Sequence, residues 1–181
     1  MHIQSASLDI YKINTIDEVS FLMHRNEGLI IQEFLNGIEL GVDCYVDMIN
    51  NKPVVSFLKQ KIRLRSGETD KSKSVEDDAL IRLIEDLVVK LKLRGPIDID
   101  VFNVDGVYYI LEVNPRFGGG YVHAHECGIN FPKYIKNNLL GIANGKETNS
   151  YLPDVFMMKS DRVLVKSAHE LVTRNIILNN D

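Results

Sequence analysis

The chain has 181 residues, enough for one medium domain or two small ones, and its 45% hydrophobic and 25% charged content is ordinary for a folded protein. A net charge of −4 argues against a nucleic-acid binder, which needs a basic surface for phosphate contacts. Two distant cysteines, Cys44 and Cys127, argue against a disulfide framework or a zinc site and agree with a reducing cytoplasm. No stretch is long and apolar enough to span a membrane, so no membrane partner is expected.

The first 38 residues predict two short strands around a helix. Residues 8–13 have the composition of a strand, and Thr15 with Glu18 forms a capping-box pattern that opens a helix ending near residues 26–28. Residues 29–35 predict a second strand, and Asn36-Gly37 is a turn signal.

The middle of the chain predicts a hairpin, a loop and a helix. Residues 39–49 and 54–64 read as paired strands around the turn Asn50-Asn51. The polar residues 65–73 predict a mobile loop. Apolar side chains at helical spacing predict a helix over 76–93, which Gly95-Pro96 ends.

The rest of the chain predicts another hairpin and two helices. Residues 97–104 and 107–113 flank the turn Asp105-Gly106, and the second helix lies around 131–143. Residues 155–159 and 163–166 predict a last hairpin before a loosely held tail. Because strands dominate and short turns join them, the pattern favours an antiparallel sheet flanked by helices, the α+β class.

The strand of this hairpin that ends in EVNPRFGGG carries the clearest chemical signal. Strand alternation puts Glu112 and Asn114 on one face, and counting across the turn brings Asp100 near both. Carboxylate and amide oxygens are hard ligands that hold Mg²⁺, and acids placed opposite each other repel unless something compensates them. Arg116 and three glycines follow, which suits an anion approached closely by a loop. These residues predict a metal and phosphate site rather than a solvated acidic face.

A second signal is a row of cations that alternate along one strand: Lys59, Lys61, Arg63 and Arg65. Such a row would meet a polyphosphate or an acidic substrate, or it would be a solvated or charge-protected edge. The nearby carboxylates favour the anion role.

Weaker signals lie elsewhere. The junction from Gln32 to Glu39 would read a base edge and sugar hydroxyls, although a plain turn is the simpler interpretation. Ser5 and Ser7 would belong to a phosphate-cradling loop. His123 and His125 do not share a helix face and are expected to be structural or to face substrate, and Cys127 is expected to be a small buried residue.

Taken together, these segments resemble the ATP-grasp superfamily, and within it the proteins similar to carbamoyl-phosphate synthetase. The matching pieces are IIQEFLNGIELGVDCYVD, the KIRLRSGE segment, RGPIDIDVF with the helix before it, and EVNPRFGGG followed by CGINFPKYI. They cover roughly residues 5 to 145 in the family's order. The resemblance implies an ATP-grasp-like α+β fold with a partial small α/β lid over 1–35, a subdomain over 36–150 that carries the site, and a terminal hairpin and tail over 151–181.

The resemblance also implies roles for individual residues. ATP would be held by Gln32, by the backbone of Glu33 and Leu35, and by Glu39 at the ribose, with Ser5 and Ser7 in what remains of the lid. Mg²⁺, or Mn²⁺ in its place, would be held by Asp100, Glu112 and Asn114. The catalytic cations would be Arg116 at the transferred phosphoryl group, and Lys61, Arg63 or Arg65 at phosphate or substrate.

The implied activity is activation of a carboxylate by phosphoryl transfer from ATP, followed by attack of an amine or another nucleophile. The family's N-terminal subdomain and the lid's phosphate-binding lysine have no counterpart in the chain, so catalysis would require the missing part. Three interpretations stay open. They are a portion of an ATP-dependent carbon–nitrogen ligase, a non-catalytic module that works as a homodimer or with a separate chain, and a metal- or phosphate-binding domain with no ATP role. The presence of all the metal ligands disfavours the third, and the carboxylate substrate is not identified.

Overall fold

A computed structural model describes residues 10–65, 67–148, 151–161, 163, 165 and 167. The described elements, in chain order, are α1 (Ile16–Arg25), β1 (Ile38–Val46), β2 (Pro53–Arg65), β3 (Glu68–Ser74), α2 (Asp78–Lys90), β4 (Gly95–Val104), β5 (Val107–Asn114), α3 (Tyr121–Glu126), α4 (Phe131–Leu139) and β6 (Phe156–Met158). Within these ranges no helix has both the length and the apolar character needed to cross a bilayer.

The six strands form one antiparallel sheet in the order β5-β4-β1-β2-β3-β6. Short hairpins connect β1 to β2 and β4 to β5, and β4 returns to lie beside β1. The predicted antiparallel α+β architecture is therefore confirmed.

The sheet has two differently covered faces. On one face, α2 packs Leu80, Ile84 and Val88 against apolar side chains of β1, β2 and β4. On the other face, α3 and α4 pack an aromatic cluster, which includes Phe131 and Tyr134, against β1 and β2. The second face continues beyond this cluster as a polar surface, and the candidate site lies there.

Strand β4 shows how the sequence divides these faces. Ile97, Ile99 and Val101 are buried toward α2, whereas Asp98 and Asp100 alternate with them and are only partly buried. A period of two places every second side chain on the same face. The acidic residues of β4 must therefore project on the face opposite α2.

Helix α1 forms as the capping box predicts. Thr15 Oγ1 accepts from the Glu18 backbone N–H, and the Glu18 carboxylate accepts from the Thr15 N–H. The helix buries none of its residues. The described chain on either side of it, residues 10–13 and 29–35, is not in strands, so the second of these strand predictions is wrong and the first fails where it can be compared.

The prediction of a mobile loop over 65–73 is also wrong, because β3 occupies most of that range. The strand pairs with β2 and β6, and four of its polar side chains are buried: Thr69, Asp70, Ser72 and Ser74. Ser74 Oγ donates to the Leu152 carbonyl at 2.7 Å. Residues 156–158 do form a strand, but it pairs with β3. Residues 164 and 166 of the expected partner strand lie outside the described residues.

Candidate functional site

Four polar side chains meet on β4 and β5, on the face opposite α2. Asp100 pairs directly with Glu112, and Asp98 pairs with Asn114. Side chains directly opposite each other across an antiparallel pair have Cβ atoms about 5 Å apart. We call these four residues the carboxylate rim. The rim gathers three acids and one amide at the open end of the hairpin.

The donor set of the rim fits an incompletely coordinated hard cation. Within the described ranges, no three His, Cys, Asp or Glu residues are arranged to hold a metal by themselves. Asp100, Glu112 and Asn114 supply only two carboxylates and an amide. Mg²⁺ is commonly bound by one or two carboxylates, with phosphate oxygens and waters completing the shell. The rim therefore suits an ion that arrives with a phosphorylated ligand.

Lys61 neutralises one end of the rim. Its Nζ lies 2.7 Å from Asp100 Oδ1 and 2.9 Å from Glu39 Oε1. Burial by itself would lower the pKa of Lys61, but the carboxylates of Asp100 and Glu39 outweigh it and raise the pKa above its ordinary value. Lys61 is therefore a fixed positive charge between the two acids.

An ion pair lies buried beside the rim. Lys59 Nζ donates to Asp43 Oδ2, and both side chains are only 1% exposed. Asp43 is also directly opposite Asp98 in the β1–β4 register. Burial raises the pKa of Asp98 to about 6, the charge of Asp43 adds to the rise, and Lys59 opposes it. The crowded acids at this point depend on neighbouring cations for compensation.

The segment from residue 115 to 120, which we call the glycine loop, folds back over the rim. Arg116 N donates to the Asn114 carbonyl at 2.8 Å, and Arg116 Nη1 lies 3.9 Å from Asp98 Oδ2. A Cβ at Gly118 would be 2.4 Å from Asp98 Oδ1, and one at Gly120 would be 2.9 Å from Lys59 Cε. Only glycine allows the backbone to approach these charges so closely.

The expected row of four cations on β2 is divided. Lys59 is buried, and the register with β3 shifts twice between Lys61 and Leu64. Arg65 lies 3.4 Å from Asp70 and makes two hydrogen bonds to Asp161, at 2.6 and 3.0 Å. Arg63 is mostly exposed and lies 3.8 Å from Asp70. The two arginines therefore lie further along the sheet than Lys61 and do not face the rim as one row.

The residues expected to hold the adenosine part of ATP are only partly brought to the rim. Glu39 enters β1 and contacts Lys61, whereas Gln32, Glu33 and Leu35 lie in irregular chain before it. Gln32 and Glu33 line a cavity of about 710 Å³ between α1 and residues 28–34, and no rim residue lines that cavity. Ser5 and Ser7 lie outside the described residues.

The two histidines and the cysteine lie in or directly after α3 and differ in burial. His123 is buried, with Nδ1 2.8 Å from Ser72 Oγ, while His125 is exposed. Burial and the charge of Lys59 lower the pKa of His123, which favours the neutral ring. Cys127 is half-buried rather than buried.

Sequence reasoning missed four charged residues around the glycine loop: Asp43, Lys59 as a buried partner, Glu68 and Lys159. Lys159 Nζ donates to the Gly119 carbonyl at 2.9 Å and lies 3.2 Å from Glu68 Oε2. These contacts join residues far apart in the chain. The one signal available was an aspartate inside the otherwise apolar segment LGVDCYV, where a buried acid requires a partner.

Residues 25–160 match the model of a family described as "ATP-grasp in the biosynthetic pathway with Ter operon". Over 97 residues the chain is 34% identical to the carbamoyl phosphate synthase large chain of Thermomicrobium roseum, covering 49% of this chain and 9% of that one. The chain thus spans about a tenth of this curated relative.

Two solved structures have a similar fold. An L-amino acid ligase from Bacillus licheniformis superposes with a TM-score of 0.55 at 18% identity, covering 78% of this chain and 39% of that one. An N5-carboxyaminoimidazole synthetase from Staphylococcus aureus gives a TM-score of 0.52 at 16% identity, covering 67% and 34%. At these identities the likeness concerns the fold.

Proposed function

This chain belongs to the ATP-grasp family whose model it matches, and from that premise we propose that it binds ATP with Mg²⁺ as part of a carboxylate–amine ligase. The complete enzyme would activate a carboxylate as an acyl phosphate. A carboxylate oxygen forms a bond to the γ-phosphorus of ATP, the bond to the ADP oxygen breaks, and an amine then displaces phosphate. The carboxylate substrate is left open, because fold analogy does not define it.

The observation that carries this proposal is the carboxylate rim. Its hard oxygens lie on two paired strands beside a fixed cation, Lys61, and beneath a loop that carries Arg116. This combination of metal ligands, cations and closely approaching backbone suits a polyphosphate. Asp100, Glu112 and Asn114 would hold Mg²⁺, or Mn²⁺ in its place. The ion would neutralise charge on the ATP phosphates.

The residues of the chain would act mainly by positioning and by charge compensation. Lys61 keeps Asp100 in place and supplies a positive charge that does not titrate near neutral pH. Arg116, which is mostly exposed beside Asp98, is free to reach the transferred phosphoryl group. Arg63 and Arg65 would meet a more distant anion, such as the substrate carboxylate.

Nucleotide recognition would involve the chain just before β1 and the first residues of β1. We propose that Gln32 and the backbone of Glu33 and Leu35 bind adenine, and that Glu39 accepts hydrogen bonds from the ribose. Since Glu39 already contacts Lys61, ribose binding would be coupled to the cation that holds Asp100. The free thiols of Cys44 and Cys127 support a cytoplasmic location as part of the same proposal.

Calorimetry on the 181-residue chain, with ATP and ADP and with or without Mg²⁺, tests the nucleotide site. Binding should require Mg²⁺, and Glu112→Ala with Asn114→Ala should abolish it. Asp86→Ala is the matched control, because Asp86 is an exposed acid on α2 and lies on the opposite side of the sheet. Unchanged binding in the rim variant, with the protein folded, would refute the site.

A second function is favoured by the apolar side chains of the N-terminal segment. Phe21 is 61% exposed and Ile30 is 79% exposed, and α1 buries none of its residues in the described chain. Exposed apolar surface of this kind marks an interaction site. On this alternative the chain is a non-catalytic or partner-dependent module, with a second copy or a separate chain supplying the rest. Sedimentation tests whether the chain self-associates, as a dimeric module would. Calorimetry tests the partner-dependent form, which would bind ATP only with its partner.

A further inference from the structure

The Asp43–Lys59 ion pair in the middle of the sheet carries a desolvation penalty. Both side chains are 1% exposed, and both charges have been removed from water. A buried ion pair is rarely the most stable solution, since apolar residues of similar volume often stabilise a fold equally well or better. Stability alone therefore does not account for two charges at this position.

The lysine side chain runs between two glycines. A Cβ at Gly41, on the neighbouring strand, would lie 3.1 Å from Lys59 Cε, and a Cβ at Gly120 would lie 2.9 Å from the same atom. Gly120 would also meet Lys59 Nζ at 3.2 Å and Thr69 Cβ at 3.2 Å. The chain thus leaves out side chains on both sides of Lys59, and the glycine loop lies directly on its charged end.

Lys59 also lies among acids that are crowded together on neighbouring strands. Asp43 and Asp98 are directly opposite each other across β1 and β4, where two like charges destabilise a pair. Lys59 compensates Asp43 by direct contact, and both side chains of this pair are buried. Asp98 in turn lies under Gly118 and faces Arg116. The ion pair and Asp98 together form the floor beneath residues 116–120.

We propose that Lys59, held by Asp43, is a positioning residue that fixes the distance between the glycine loop and the sheet and so places Arg116 over the carboxylate rim. This inference rests on the function proposed above. Lys59 is covered by the loop and does not touch the bound ligand. Its effect on nucleotide binding passes through the backbone of residues 116–120.

The test is the double variant Lys59→Met with Asp43→Leu, which removes both charges and keeps similar volume. Its melting temperature should equal or exceed that of the wild type, because neither member of the ion pair is left buried without the other and the repulsion between Asp43 and Asp98 is also removed. Affinity for Mg²⁺·ATP should nevertheless fall by about ten- to hundredfold, the usual effect of losing a group that orients ligands. Wild-type affinity in the folded double variant would overturn the proposal and leave the pair a purely structural role.

A second variant approaches the same contact from the loop and keeps the ion pair. Gly120→Ala places a methyl group against Lys59, and should weaken Mg²⁺·ATP binding even if the double variant fails to fold. Gly145→Ala is the matched control, since a Cβ there meets no atom within 4 Å. Equal affinity in the Gly120 and Gly145 variants would also overturn the proposal.

Amide hydrogen exchange of residues 117–121, without nucleotide, separates this inference from the proposed function. Faster exchange in the double variant and in Gly120→Ala supports positioning by Lys59, even if the wild type binds no nucleotide and the proposed function fails. Exchange unchanged from the wild type would refute the positioning role, whatever the nucleotide result.

Discussion

Replacement of Asp47 provides a strong test of the packing that supports the sheet. Asp47 is 0% exposed. Its Oδ1 accepts from the backbone N–H groups of Ile49 and Asn50, both at 2.9 Å. Its Oδ2 accepts from Asn138 Nδ2 at 2.7 Å and from the backbone and side chain of Asn144 at 2.7 and 2.9 Å. One carboxylate therefore joins the β1–β2 turn to α4 and the chain after it.

The magnitude follows from these five hydrogen bonds. A hydrogen bond to a charged group contributes about 1.5–3 kcal/mol, and a buried donor left without its acceptor costs about 1–3 kcal/mol. Since neighbouring donors relax together, we expect Asp47→Ala to lower the free energy of unfolding by about 3–5 kcal/mol. Asp47→Asn should cost less, because it keeps an acceptor for the turn but turns an NH₂ group toward Asn138 and Asn144.

The pH dependence gives a second, independent readout. Burial alone would raise the pKa of Asp47, but the hydrogen bonds from Asn138, Asn144 and Asn50 outweigh it and hold the pKa well below its usual range. A lowered folded-state pKa stabilises the protein above the unfolded-state pKa, and that stability is lost as pH falls through the folded-state pKa. The difference in stability between wild type and Asp47→Asn, from urea unfolding, should be constant near neutral pH and shrink in acid. A difference below about 0.5 kcal/mol, or one that does not change with pH, would refute the reasoning.

Three further outcomes follow from the same structure. Ile84→Ala, on the buried face of α2, should lower the free energy of unfolding in urea by about 2–5 kcal/mol. Leu83→Ala, 40% exposed on the same helix, should lower it by less than about 1 kcal/mol. Equal losses would contradict the assigned helix face. Burial raises the pKa of the Cys44 thiol to about 12, so a thiol reagent at pH 8 should leave Cys44 unmodified and label the half-buried Cys127 first; the reverse order would contradict the assigned burial. Gly118→Ala would put a methyl group against the Asp98 carboxylate, which cannot move away easily because its strand is paired on both sides. The variant should weaken Mg²⁺·ATP binding about tenfold or more by calorimetry. Wild-type affinity would show that the loop need not lie so close.

Sequence patterns correctly predicted the elements that are stabilised by contacts between residues close together in the chain. The capping box of Thr15 and Glu18, the apolar period of α2 and the turn at Asp105-Gly106 each involve neighbouring residues, and each element lies where its pattern predicts. Counting from this turn alone would place Asp100 opposite Leu111. A bulge between Asp100 and Val101 shifts the register by one residue, and this shift brings Asp100 opposite Glu112.

Elements that depend on distant partners were predicted less well. Strand β3 has the sequence ETDKSKS, which contains no large apolar residue, and it forms by pairing with β2 and β6. Residues 29–35 are apolar enough for a strand, but no described strand pairs with them. The Asp43–Lys59 contact was missed for the same reason, since a lysine in a strand gives no sign that it is buried until the sheet and the glycine loop are assembled.

The most direct test of the nucleotide site is where the metal lies when ATP is bound. Mn²⁺ added with ATP broadens the NMR signals of nearby amides, so it reports the position of the ion without requiring turnover. We expect the amides of residues 98–100 and 112–116 to broaden most strongly, and those of α2, behind the sheet, to broaden less. Broadening centred on any other part of the chain, with the rim amides unaffected, would contradict the assignment of Asp100, Glu112 and Asn114 as the metal site.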